Sequence, residues 1–110
     1  IPRETVVRAI AHSLPFSLFL GDRQVGFARA VTDRATFAYL ADVFVIEEQR
    51  GRGLGAWLVA TVLAHPELSG LRRWLLATRD AHGLYLKFGF TAVADPSTLL
   101  TRHDPDIYTR

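Results

Sequence analysis

Three features of the 110-residue sequence predict an α/β fold of the α+β kind, a mixed sheet with helices packed on it. Apolar residues recur at helical spacing near the start, two strand-like runs flank a Gly-Asp-Arg turn, and an apolar strand runs through glycines directly into a helix. Taken in order, Pro2 suits a first helical position and Glu4 the positive end of a helix. Val7, Ile10, Ala11 and Leu14 follow at helical spacing, so a helix is expected over 2–13 with Pro15 as its stop. Residues 16–20 and 24–31 read as a hairpin about Gly21-Asp22-Arg23. Thr32-Asp33-Arg34 then turns the chain into 36–46, the longest strand candidate, rich in aromatic and β-branched residues.

The helix after the glycines carries Leu54, Trp57, Leu58, Thr61, Val62 and His65 on one side and is closed by Pro66. Residues 71–77 look like a buried strand. Asp80 is the expected cap of a second helix, along which Ala81, Leu84, Tyr85 and Phe88 recur until Gly89 ends it. A last strand is expected over 90–94, and the tail from 95 to 110 is polar with no clear period.

Composition narrows the function. The length suits one domain. The chain opens on Ile1-Pro2 instead of methionine, so a missing N-terminal piece is allowed for. No apolar run nears the ~20 residues that cross a membrane and no leader is visible, so the expectation is a cytoplasmic protein with no membrane partner. Without cysteine there is no disulfide, no thiolate metal site and no cysteine nucleophile. The four histidines lack ligand spacing, and no metal is expected. A formal charge of +2, with arginines scattered along the chain, does not indicate nucleic acid.

The richest stretch is Val43-Phe44-Val45-Ile46-Glu47-Glu48-Gln49-Arg50-Gly51-Arg52-Gly53-Leu54-Gly55-Ala56-Trp57-Leu58. Glycines let a backbone approach a ligand closely, and a helix N-terminus offers unpaired N–H groups with partial positive charge, so this is a phosphate site. A P-loop would need Lys-Ser or Lys-Thr after its last glycine, where Ala56-Trp57 stands. A dinucleotide site would accept Gly51, Gly53 and Ala56. It also needs a carboxylate at the end of the next strand, and none precedes Asp80; it normally opens a βαβ unit, whereas this loop follows a hairpin meander. That alternative ranks second.

Arg50-Gly51-Arg52-Gly53-Leu54-Gly55 resembles the acetyl-CoA pyrophosphate loop of the GNAT superfamily of N-acetyltransferases: Gln or Arg, two residues, Gly, one residue, then Gly or Ala. Tyr39-Leu40-Ala41-Asp42-Val43-Phe44-Val45 is similar to the strand that precedes it there. Ala81-His82-Gly83-Leu84-Tyr85-Leu86-Lys87-Phe88-Gly89-Phe90 is similar to the family's helix ending in Tyr, a basic residue and Gly-Phe. These motifs cover roughly 24 to 92 in the family's order. The resemblance implies a GNAT-type mixed, mostly antiparallel sheet flanked by helices, lacking the family's usual first strand and much of its first helix.

It also implies roles. Acetyl-CoA would be held by Arg50, Gly51, Arg52, Gly53, Leu54, Gly55 and Ala56, and by backbone groups of Val43, Phe44 and Val45 along the pantetheine arm and thioester. Thr78, where the family often has asparagine, would offer a hydroxyl. Tyr85 would protonate the leaving thiolate; a thiol near pKa ~8.5 and a phenol near ~10 leave an uphill step of about 2 kcal/mol. Asp42, a carboxylate within an apolar strand, would take the proton of the amine or hold its ammonium, or else be a structural group with a hydrogen-bond partner. Glu47 and Glu48 read as solvated turn charges. Ala41 replaces the glutamate of the polyamine enzymes, so a polyamine acceptor does not follow. The expected activity is acetyl transfer from acetyl-CoA to the primary amine of a small molecule or peptide by direct attack, with a homodimer as the common assembly of such proteins. A CoA-binding sensor without catalysis is the competing reading.

Overall fold

The structure, a computed structural model, describes residues 1–109. Helix α1 (Arg3–Ala11) leads into strands β1 (Leu14–Leu20), β2 (Arg23–Thr32) and β3 (Phe37–Val45). Helix α2 (Leu54–Leu63), strand β4 (Arg73–Leu75) and helix α3 (His82–Leu86) follow. The sheet order is β1-β2-β3-β4; the first three strands are antiparallel and β4 lies parallel to β3. A parallel neighbour cannot be reached through a tight turn, and α2 supplies the crossover. This is the mixed, mostly antiparallel sheet that the sequence predicts.

Small residues on one sheet face admit the helix. Ala28 and Ala30 of β2 and Leu40 of β3 are buried against Leu58, Val59 and Val62 of α2, and Tyr85 of α3 joins the same cluster. Removing each of the α2 side chains from water contributes roughly 1.5–3 kcal/mol. No helix among the described residues is long and apolar enough to cross a membrane.

Several elements differ from expectation. Helix α1 ends at Ala11, and Pro15 sits inside β1 at the sheet edge, where its missing N–H is tolerated. Trp57 is 59% exposed and Val59 fully buried, so the inward face of α2 is turned by a residue or two. A helix reading Leu-Gly-Ala-Trp-Leu-Val-Ala-Thr-Val-Leu is apolar almost all round, and its pattern cannot fix which side faces in. Strand β4 is shorter than 71–77. Asp80 does not cap α3; the hydroxyl of Thr78 instead accepts the Ala81 N–H at 3.1 Å. Residues 90–94 form no strand. Phe90 packs edge-on against Tyr85, and its N–H is bonded to the Tyr85 carbonyl at 3.2 Å.

The β2–β3 turn is held by one carboxylate. Asp33 accepts the N–H groups of Ala35 at 2.9 Å, Thr36 at 2.8 Å and Phe37 at 3.2 Å, and the Thr36 hydroxyl at 2.6 Å. These bonds favour the anion and hold its pKa far below the usual carboxylate value of 3.8. A depressed folded pKa contributes stability that is present above the unfolded value and is lost as pH falls through the folded one. Asp33→Ala should therefore lower the melting temperature at neutral pH and leave a smaller loss on acidification below about pH 4. Thermal melts at both pH values read this; parallel acid losses in the two proteins would contradict it.

Candidate functional site

The site begins at a break in the β2–β3 ladder. Phe27 pairs with Phe44 and Arg29 with Ala41, so Ala28 alone faces both Asp42 and Val43. Asp42 has φ +56°, the left-handed conformation of a bulge's first residue. Ala38 and Leu40 are buried, and unbroken alternation would carry Asp42 inward with them. The bulge keeps its side chain 57% exposed, with Oδ2 ion-paired to Arg29 Nε at 2.8 Å. Beyond it, Val43 packs against the core.

The ladder closes where Ile46 N–H meets the Val25 carbonyl at 2.8 Å, and a single 3₁₀ turn, Glu47–Gln49, leads to the glycines. Arg50 Nε donates to the Val45 carbonyl at 2.9 Å and ties the loop back to the strand end. Gly51 and Gly53 take φ +80° and +76°, which strain any other residue. Gly53 caps α2 without a side-chain bond, and no acidic residue lies in the first turn. Trp57 N–H to the Gly53 carbonyl, at 3.1 Å, is the first bond of the helix. The amides of residues 53–56 therefore lack helical acceptors and carry the positive end of the dipole. A Cβ added at Gly51, Gly53 or Gly55 would meet nothing within 4 Å. The backbone is bare toward open space, as a bound pyrophosphate requires.

Tyr85 reaches the same cleft from α3. Its residue is 8% exposed, its ring centroid lies 5.7 Å from that of Phe90, and burial raises its pKa above the ordinary 10.0. Among the described residues its hydroxyl has no hydrogen-bond partner, yet no buried side-chain oxygen is left unsatisfied. The ring is packed in the core while the hydroxyl keeps some exposure, and the residue lines the cleft.

The cleft measures about 370 Å³, within the range of small-molecule sites. Of the residues anticipated from sequence, Val43, Phe44, Val45, Arg50, Gly51, Gly53, Leu54, Gly55 and Tyr85 line it together. Asp42, Arg52, Ala56 and Thr78 do not. Asp42 is held by Arg29, Arg52 Nη1 donates to Gln49 Oε1, Ala56 lies in the first turn of α2, and the Thr78 hydroxyl accepts the Ala81 N–H ahead of α3. Gln49, Ala81 and Leu84 also line the cleft, although the sequence had not marked them as site residues. Ala81 and Leu84 precede Tyr85 by four and one positions, so the helical spacing that placed Tyr85 on an apolar face carried their signal too.

The pattern of the Acetyltransferase (GNAT) family matches residues 2–90. The chain belongs to the GNAT acetyltransferases. A Xanthomonas campestris crystal structure assigned to the GNAT acetyltransferases is 55% identical, covers 100% of this chain and 78% of its own, and superposes with a TM-score of 0.93. A Gibberella zeae protein described as an acetyltransferase is 40% identical over 67 residues, 58% of this chain; the match spans only 37% of that relative's length. A GNAT acetyltransferase from Elizabethkingia anophelis, solved with acetyl-CoA bound, shares the fold at 14% identity and a TM-score of 0.69, over 84% of this chain and 63% of its own. Membership decides against the dinucleotide reading where topology alone would not. The loop does follow the antiparallel β1-β2-β3 meander, but β3, α2 and β4 also form a parallel βαβ unit, which was not expected there. The GNAT assignment covers the bulged strand, the glycine loop and Tyr85 alike.

Proposed function

We propose that this GNAT domain transfers an acetyl group from acetyl-CoA to a primary amine while both substrates are bound. The observation that carries the reading is one cleft lined by the bare N-terminus of α2, the bulged end of β3 and Tyr85. Acetyl-CoA supplies an activated thioester and a pyrophosphate handle. The 53–56 amides suit the pyrophosphate, and Arg50, which lines the same cleft, adds a positive charge. Backbone N–H groups of Val43 to Val45 suit the pantetheine arm and the oxygen that gains charge as the amine nitrogen bonds to the carbonyl carbon. The C–N bond forms and the C–S bond breaks; coenzyme A leaves as thiolate and the proton lost by the amine nitrogen passes to water. The sequence has no cysteine to carry a cysteinyl acyl-enzyme, which favours direct attack.

Tyr85 hydrogen-bonds the departing sulfur in this reading. Burial keeps the phenol neutral but widens the gap to a thiol of pKa about 8.5, so its aid is a strong hydrogen bond with proton transfer completed late. Turnover should then show no alkaline decline from this group until pH exceeds about 10. Stability follows the same sign. A raised folded pKa leaves the Tyr85 contribution intact below the unfolded value and loses it as pH climbs through the folded one. A turnover decline centred near pH 8 that vanishes in Tyr85→Phe would remove this placement.

The activity test is release of coenzyme A thiol with a panel of small amines and peptide N-termini, with the acetylated product identified by mass spectrometry. Amine-dependent release supports transfer. Tight CoA binding with no turnover across the panel would indicate a sensor, and binding of NAD in its place would revive the dinucleotide reading.

A further inference from the structure

We propose that Arg29 is a positioning residue, whose ion pair with Asp42 holds the β3 bulge in the shape that the cleft requires. The kinetic part of this inference rests on the acetyl-transfer reading; the structural part does not.

Arg29 stands at the register break. It pairs with Ala41, the last residue before the bulge, while its neighbours Ala28 and Ala30 are fully buried on the opposite face. Its side chain is 18% exposed against 57% for Asp42, so a packed stem on β2 delivers a fixed guanidinium to a carboxylate at the surface. The partner is a residue under backbone constraint. Asp42 has φ +56°, a region that Asp tolerates better than most side chains but does not choose unaided. Return of Asp42 to extended φ would restore alternation, swing its carboxylate toward Ala38 and Leu40, and reverse the faces of Val43, Phe44 and Val45. Those residues line the cleft. The Nε–Oδ2 bond at 2.8 Å opposes that slip, because it exists only while the side chain points to the Arg29 face. The carboxylate then serves the site through the backbone it anchors.

The test compares Arg29→Gln, Arg29→Lys, Asp42→Ala, Asp42→Gly and the double variant Arg29→Gln/Asp42→Gly, with melting temperature confirming that each folds. Amide hydrogen exchange at 43–45 reads the bulge with no ligand present. It should accelerate in Arg29→Gln and Asp42→Ala, and return toward wild type in the double variant, since glycine adopts the left-handed conformation without a clamp. The Michaelis constant for acetyl-CoA should rise roughly tenfold in Arg29→Gln and in Asp42→Ala, and recover to within about threefold in the double variant. Arg29→Lys keeps the charge without the planar fork and should fall between wild type and Arg29→Gln, giving the same reading if the latter unfolds. Unchanged exchange at 43–45 in both Arg29 variants would overturn the proposal. So would equal loss of turnover in Asp42→Gly and Asp42→Ala with an altered acidic limb, which would make the carboxylate itself the reacting group. A wild-type protein that neither binds CoA nor turns over would sink the acetyl-transfer reading, while the exchange pattern would still decide the role of Arg29.

Discussion

Gly53→Val should cost CoA at least about a hundredfold in affinity, the loss of two charge-assisted hydrogen bonds to the pyrophosphate. Two effects act together. Gly53 has φ +76°, so a β-branched residue distorts the start of α2, and a side chain there fills the open space that the phosphates would occupy. The first effect alone could also weaken the fold, so a second variant separates them. Gly55 has no left-handed constraint and lies in the first turn of α2, where leucine is a better helix former than glycine. Gly55→Leu should keep or raise the melting temperature while CoA affinity still falls. Arg52→Ala should change affinity by less than about threefold, because Arg52 is exposed and its guanidinium is already bonded to Gln49. Calorimetry on the three variants reads the order; equal, small losses would remove the phosphate cradle.

Tyr85→Phe should lower turnover by roughly ten- to a thousandfold with little change in CoA affinity or melting temperature. The ring packs on Phe90 and within the α2–sheet core, and phenylalanine preserves both contacts. No hydrogen bond is sacrificed inside the protein, because the hydroxyl has no partner among the described residues. A group that costs the fold nothing to delete, on a residue that lines the cleft, is placed for chemistry. Unchanged turnover with a good acceptor would return Tyr85 to the core, and a large drop in melting temperature would show a structural partner that the cleft geometry does not contain.

The glycine loop and the Tyr85 helix were legible because their signals are local. A positive-φ glycine, a helix start and an i, i+3, i+4 spacing depend on residues a few positions apart. The bulge was not legible. Alternation over 36–46 treats each position alike, and the slip at Asp42 is set across the ladder by Arg29 and Ala28, far away in sequence. Asp42 looked like a carboxylate within an apolar strand because the reading assumed an unbroken strand; with the bulge it is both exposed and paired. Trp57 was misplaced for another reason, since an apolar helix gives no polar face to orient it. The strand expected over 90–94 had the composition of a strand but pairs with none, and Phe90 is used to pack Tyr85.

The most direct measurement is a titration of coenzyme A into isotope-labelled protein, followed amide by amide. The largest shifts are expected at 53–56, on the bare N-terminus of α2, with a second group at 43–45 beyond the bulge and a smaller response at Tyr85. Shifts absent from both segments at saturating coenzyme A, or confined to a face away from the α2 N-terminus, would contradict this expectation.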